Sequence, residues 1–404
     1  MKQIFFIIFA AMTFTFVACS SKTGNMDNTD GFLSIDLSIS YPHKKIHLQS
    51  IAEIEYVALE TTDNVLLDGS FRLSSLSDKY IVGWQNKTNE IFIFNRNGKI
   101  VTKINKFGRS GAEYTSIEDI LFDEKNEEIF VVEPPEVGHI QVYTLNGEYR
   151  RTLNYSKDFS DLRLYNFDDE TILIYVDDER SSMIKLFLST GSQSPVQFVD
   201  PVRPYMLMSK KDGTITSELN ILIPERYALS YVGENKLSLY RLSYNRYHGQ
   251  DFVIADMSSD TIYTLSKNKE LAPLFIRKPS VNSSNPLVVW SSMFITDTFS
   301  VLLTAKKNES SRNMNTAVFR DTLIHDLNTG EINKVTFVND DCPSARWMPS
   351  VGVQLPQINV VVGLLQTSGL FNAFQRKQLK GDLEQLVATL REDDNQVVMI
   401  VKFK

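Results

Sequence analysis

Ile91–Gly98 reads IFIFNRNG, Ile140–Gly147 reads IQVYTLNG, Ile184–Gly191 reads IKLFLSTG and Leu323–Gly330 reads LIHDLNTG. In each, a short apolar run ends in Asn-Gly or Thr-Gly, the composition of a strand entering a tight turn that requires positive φ. An alternating run, Lys99–Ile104 (KIVTKI), follows the first copy, so the repeated object is a β-hairpin. The first two copies lie 49 residues apart, from Ile91 to Ile140, and a fifth, Ile262–Lys269 (IYTLSKNK), keeps Asn268 at the turn without a glycine. Such a period belongs to propellers or arrays.

The repeat extends backwards from each hairpin. Asp78–Gly83 (DKYIVG) precedes the first copy, and Glu127–Val132 (EEIFVV) recurs 49 residues later, from Asp78 to Glu127. Ile117–Phe122 (IEDILF) supplies a further strand between one unit's last and the next unit's first. Four strands per unit make a propeller blade. Five hairpins imply five blades, and a sixth is expected from the two ends: Leu33–Ile39, Ile51–Leu59 and the alternating Val397–Phe403. The 78-residue gap from Gly191 to Lys269 exceeds one repeat and predicts an insertion near Pro201–Pro224. The expected fold is all-β, a six-bladed β-propeller of four-stranded antiparallel blades over residues 32–404. One helical segment is expected at about 371–391, where Leu379, Leu383, Leu386, Val387 and Leu390 share a helical face and Asp382 would cap the second part. Packing against the propeller side is the expected use of that face.

The chain has 404 residues, 43% of them hydrophobic, enough for a large core. Met1–Ala18 begins with Lys2, continues through the apolar run from Ile4 to Ala11 and closes on Phe16-Val17-Ala18 before Cys19. It reads as an export signal, too short to span a bilayer. Its removal takes away Lys2 and no acid, so the net charge of −7 becomes −8 in the mature chain. That balance argues against a nucleic-acid partner. Phe16-Val17-Ala18-Cys19 resembles a bacterial lipobox, whose cysteine is diacylated and becomes the first mature residue. Two acyl chains anchor stably, and residues 19–31, polar apart from Met26, would serve as a tether. With Cys19 lipidated, Cys342 is the only remaining thiol and no intramolecular disulfide can form.

Several stretches resemble a known family: the leader and lipobox, Val57–Thr62 (VALETT), Lys106–Tyr114 (KFGRSGAEY) before a strand with Asp119 and Asp123, and the end Asp394–Lys404 (DNQVVMIVKFK). The chain is similar over nearly its whole mature length to the six-bladed β-propeller lipoproteins of Bacteroidetes, relatives of NHL-repeat and TolB-like propellers. Family members usually carry Gly-Pro-Gly-Glu-Tyr where this chain has Ser110-Gly111-Ala112-Glu113-Tyr114; Glu113 and Tyr114 match. The resemblance implies a fold and a cell-envelope location, outer-membrane lipoprotein facing periplasm or exterior, and little chemistry.

Gly108–Ala112 (GRSGA) approaches a nucleophile elbow, but Ala112 replaces the final glycine and a strand, not a helix, follows; serine hydrolysis is rejected. The histidines, His43, His47, His139, His248 and His325, are scattered and read as surface or edge residues. The acidic groups Asp168-Asp169-Glu170, Asp177-Asp178-Glu179 and Asp340-Asp341 lie between strand-like runs and read as turns. No catalytic residue, metal or cofactor is assigned. The loops leading from one blade's outer strand to the next blade's inner strand are basic and aromatic. They carry Arg109, Glu113 and Tyr114, then Arg203 with Tyr205, Arg277, and Arg346 with Trp347. Arginine grips carboxylates through paired bonds and aromatic faces take up sugars or cations, so these residues form an expected ligand mouth. Its ligand would be an anionic glycan or a peptide; the alternative use of these arginines is to lock neighbouring blades. The expected function is a non-enzymatic binding or protein-interaction module anchored to the membrane. The alternatives are a structural subunit with an outer-membrane protein partner, and a lyase or glycosidase with dispersed catalytic residues.

A Cys19→Ser chain is expected to lose incorporation of labelled palmitate in expressing bacteria and to leave the membrane fraction; label retained by that chain would refute the lipobox.

Overall fold

Glu128–Val132 (EIFVV) shows why the chain folds as it does: successive side chains of a strand face opposite ways, and here both faces are apolar. Ile129 and Val131 pack towards one neighbouring sheet and Phe130 and Val132 towards the other. Such a strand is satisfied only when its sheet is sandwiched between two others. The computed structural model describes residues 33–159, 162–176, 197–198, 203–227, 229–232, 237–240, 244–307, 318–343, 349–350, 353–355, 357 and 359–404. The leader, Cys19, the tether, the hairpin copy at 184–191, the 177–179 acidic group, Arg346 and Trp347 lie outside the described residues.

Three N-terminal strands come first, β1 (Leu33–Asp36), β2 (His43–His47) and β3 (Ala52–Ala58). Blade one is β4 (Phe71–Leu76), β5 (Tyr80–Gln85), β6 (Glu90–Asn95) and β7 (Ile100–Ile104). Blade two is β8 (Asp119–Asp123), β9 (Glu128–Val132), β10 (His139–Thr144) and β11 (Tyr149–Asn154). Blade three starts with β12 (Leu162–Asn166) and β13 (Thr171–Val176). After the short β14 (Gln197–Phe198) it resumes with β15 (Tyr205–Ser209) and β16 (Ile215–Glu218). Outside the blades, β17 (Arg226–Tyr227) pairs with β14, and β18 (Leu229–Val232) with β19 (Leu237–Tyr240). Blade four is β20 (Arg246–His248), β21 (Asp251–Ile254), β22 (Thr261–Leu265) and β23 (Leu271–Lys278). Blade five is β24 (Val288–Ile295), β25 (Phe299–Lys307), β26 (Val318–Asp326) and β27 (Ile332–Val338). The last strands, β28 (Val360–Leu365) and β29 (Val397–Phe403), belong to blade six.

The six-bladed propeller is therefore as expected, and the ends close it in a way the sequence did not reveal. In blade six, β29 pairs antiparallel with β28 on one side and with β3 on the other, Val397 opposite Ala58 through to Phe403 opposite Ala52. The inner course of this blade runs through Gln354, which bonds to blade one: Gln354 N–H donates to Ser74 O (2.8 Å), and Leu76 N–H to Gln354 O (3.1 Å). Leu33–Asp36, expected in blade six, instead adds a parallel fifth strand to β23 of blade four, and β2 does the same to β27 of blade five. The N-terminal segment is thus a belt laid along three consecutive blades. A hydrophobic cluster fills each of the six junctions between neighbouring blades.

Blade three departs from the expected register. Its outer hairpin is Ser209–Thr214, with Gly213 at φ 80°, and not the 184–191 copy; the interruption lies between β13 and β15. The expected helix is two short ones, Thr367–Gln375 and Gly381–Val387, separated at Lys377, whose φ is positive (56°). Asp382 lies in the second helix's first turn and makes no capping bond, because the cap position belongs to Lys380. The helices pack as expected: Leu370, Leu379, Leu383 and Val387 bury themselves with Val397 and Cys342. One histidine departs from expectation. His325 is buried against Phe275, and that burial holds its pKa below the ordinary value.

The repeated turns use φ of 77° at Gly98 and Gly147, 74° at Gly330 and 66° at Lys269, which takes the glycine's place in the fifth copy. Gly98 carries a second constraint, since a Cβ there would stand 2.0 Å from the carbonyl oxygen of Ala58 in blade six. Gly98→Ala is expected to cost about 1–2 kcal/mol from the left-handed backbone alone, with the clash added. Gly111→Ala, with nothing within 4 Å, should stay within about 0.5 kcal/mol. Equal melting temperatures for the two variants would contradict this junction.

Candidate functional site

The inner strands β4, β8 and β12 run side by side around the central channel, and their last residues surround a cavity of about 530 Å³. A volume of that order suits a small-molecule ligand. Ser75 and Ser77 come from blade one, Tyr165 and Asn166 from blade three, and Arg246 and Tyr247 from blade four. Gln354 crosses the channel from blade six. Its Oε1 accepts from Asn166 N–H (3.3 Å) and its Nε2 donates to Leu164 O (3.4 Å), while its backbone is held by blade one. One residue therefore joins three blades across the channel.

The cavity wall is aromatic. Phe252 meets Tyr165 edge-on at 5.5 Å and Tyr247 edge-on at 5.1 Å, and Phe122 completes the surface from blade two. The charged groups are unequal. At the rim, Lys79 stands 4.0 Å from Glu124, and Lys125 is paired with Asp169. Deeper in, Arg246 donates from Nη2 to Val360 O (3.0 Å) across the channel, and its Nε, sealed from solvent, has no partner. Among the described residues no carboxylate lies within ion-pair distance of it. The side chain lies deep in the ring yet keeps surface open to the cavity, and burial pushes its pKa down to about 10. That value still leaves a full positive charge at neutral pH.

The described residues among those expected at a mouth do not line this cavity. Tyr114 is fully buried, its hydroxyl donating to Asn89 O (2.8 Å) and accepting from Lys106 N–H (3.1 Å). Tyr205 is fully buried at the junction of blades three and four, donating to Asn245 Oδ1 (3.3 Å). Arg277, 2% exposed, donates from Nε to Pro279 O (2.8 Å) and from Nη1 to Val288 O, where blade five begins. For this arginine the blade lock, and not a ligand mouth, is the correct reading. Glu113 accepts from Ser110 N–H (2.9 Å) and so folds its own loop; those loop bonds hold its pKa below the ordinary value. Arg109 and Arg203 are exposed. The loop with Arg109 and the end of β23 with Arg277 lead into β8 and β24 at their N-terminal ends, whereas the cavity lies at the C-terminal ends of β4, β8 and β12.

Arg246 and Gln354 carried no signal of their own in the sequence. The one cue was positional: aligning inner strands by the repeat would have set Ser75, Asn166, Asn245 and Gln354 as a polar ring. The acidic group at Asp168-Asp169-Glu170 is the β12–β13 turn, as expected, with Glu170 N–H donating to Asp168 Oδ1. His47 Nδ1 lies 2.5 Å from Asp340 Oδ1 and His43 Nε2 2.9 Å from Thr336 Oγ1, so each is tied to blade five.

A closed ring of six β-blades around a central channel defines this protein as a six-bladed β-propeller. The chain belongs to the family described as a domain of unknown function, DUF4934, whose model matches residues 32–402. No curated protein matches it. Among solved structures it is similar to a Bacteroides fragilis NCTC 9343 protein named as exported, at 15% identity and a TM-score of 0.61, over 92% of this chain and 99% of that one. A member of the DUF4221 family from Bacteroides vulgatus ATCC 8482 aligns at 10% identity and a TM-score of 0.46, over 88% of this chain and 99% of that one. Virginiamycin B lyase from Staphylococcus aureus aligns at 10% identity and 0.31, over 70% and 98%. The first of these likenesses shows the fold. Among the described residues no helix is long and apolar enough to cross a membrane.

Arg277→Ala strips the bonds from two carbonyls at a blade junction and is expected to lower stability by about 1–3 kcal/mol. Arg109→Ala, at an exposed site, should change it by less than about 0.5 kcal/mol. Denaturant unfolding of both variants checks the contrast, and an unchanged midpoint for Arg277→Ala would remove the blade lock.

Proposed function

We propose that this protein is an exported, lipid-anchored binding module of the outer membrane that holds a small anionic ligand in its central cavity. The observation that carries the reading is Arg246, a guanidinium that lies deep in the ring, lines the cavity and, among the described residues, has no carboxylate within ion-pair distance. A buried charge is costly unless paired, and the cavity leaves room for the missing anion. At the rim Lys79 and Lys125 are offset by Glu124, Glu127 and Asp169, so the group that would hold an anion is Arg246 itself.

The envelope location is supported by the leader, by the lipobox ending in Cys19 and by the name of the B. fragilis relative. The binding role is favoured over a reaction because the described cavity lining holds no histidine or cysteine, and its two carboxylates, Glu124 and Glu127, stand together on one rim turn.

The test is a thermal-shift screen of the domain from Ser20 to Lys404 against anionic and neutral small molecules. A ligand at about 100 times its Kd adds roughly 2.7 kcal/mol to stability. Shifts are expected for anions and should vanish in Arg246→Gln. Equal shifts in the variant, or a response to neutral compounds only, would sink the proposal.

A further inference from the structure

Resting on the reading of Arg246 as an anion site, we infer that the ligand is a carboxylate with an apolar, preferably aromatic body, and not an acidic sugar. The ground is the state of the polar groups around the cavity. A sugar buried there must find a partner for most of its hydroxyls, because each one left without a bond costs free energy. Most of the oxygens deep in the cavity are already engaged. Asn245 Oδ1 accepts from Ala255 N–H (3.0 Å) and from the Tyr205 hydroxyl, and its Nδ2 donates to the Tyr165 oxygen (3.3 Å). Asn166 Oδ1 accepts from Lys210 Nζ (2.6 Å), and both ends of Gln354 are tied to blade three. The Ser75 hydroxyl donates to Gln354 O (3.3 Å), Ser77 Oγ accepts from the N–H groups of Lys79 (3.3 Å) and Tyr80 (3.1 Å), and the Tyr247 hydroxyl donates to Phe167 O.

Deep in the cavity what remains for a ligand is the Arg246 guanidinium and a wall of rings; the other charged groups of the lining, Lys79, Glu124, Lys125 and Glu127, stand at the rim. Arg246 offers donors suited to a carboxylate. Tyr165, Tyr247, Phe252 and Phe122 offer ring edges and faces that favour another aromatic group at 4.5–7 Å between centroids, a contact roughly indifferent to hydroxyl pattern. An aryl acid satisfies both with no hydroxyl left over; a uronic acid can stack on the rings but brings hydroxyls that need partners.

The experiment is calorimetric titration of the domain from Ser20 to Lys404 with four probes: 3-phenylpropionate, its amide, galacturonate and glucuronate. The acid is expected to bind, its neutral amide to bind about tenfold or more weakly, and the two uronates to bind at least tenfold more weakly than the aryl acid. Arg246→Gln should remove the preference for acid over amide, and Arg246→Lys should restore part of it, with melting curves confirming that both variants fold. Uronates binding more tightly than the aryl acid, and through Arg246, would overturn the ligand class and leave the anion site intact. Failure of every acid to bind, or an acid preference unchanged in Arg246→Gln, would overturn both readings.

Discussion

The seven-residue register of β29 against β3 is the contact on which the rest of the structure depends, because it joins the two ends of the chain into one blade. Each junction between blades is an apolar interface that needs both partners, as the two-faced burial of β9 illustrates. An open ring would leave one such interface exposed on blade six and another on blade one. The cluster shared by Val57, Val398 and Ile400 with Phe71, Leu73 and Phe92 therefore forms only once the ends have met. The long sequence separation makes that closure entropically expensive. The belt of β1 and β2 along blades four and five spreads the N-terminal side of the closure over three sheets.

Polar groups inside the ring fall into two kinds, and the difference separates architecture from site. Lys210 illustrates the first: almost fully buried, it donates to Asp123 Oδ2 (2.6 Å), Asn166 Oδ1 (2.6 Å) and Asp168 O (2.5 Å), so every ammonium proton crosses or braces the junction of blades two and three. Arg151 nearby forks onto both oxygens of Glu128 (2.6 and 2.7 Å) and also bonds Lys210 O, which leaves no charge uncompensated. Arg277 spends its charge on carbonyls where blade four gives way to blade five. Arg246 is of the second kind, with one carbonyl, no carboxylate and an open cavity beside it. Arg277 likewise leaves its Nη2 without a partner, so what sets Arg246 apart is the cavity that it lines.

The hairpins and the blade count were legible because they rest on local rules: an alternating strand followed by Asn-Gly or Thr-Gly folds back on itself. The fifth copy shows how far the rule reaches, since Lys269 accepts positive φ where glycine stood elsewhere. The candidate site was not legible in the same way. Arg109, Arg203 and Arg277 looked alike as loop arginines, yet Arg277 is sealed into a junction and the other two are in solvent. Tyr114 and Tyr205 looked like stacking surfaces and are core.

By itself the sequence determined the blade, because strand period and turn chemistry act over a few residues and need no partner. Only the tertiary structure decided which blade receives β1, which ends of the inner strands hold the cavity and which arginine lines it. These are properties of the closed ring: Arg246 meets Val360, and Gln354 meets Leu164 and Asn166, across more than a hundred residues of chain, and no local pattern encodes what will stand opposite.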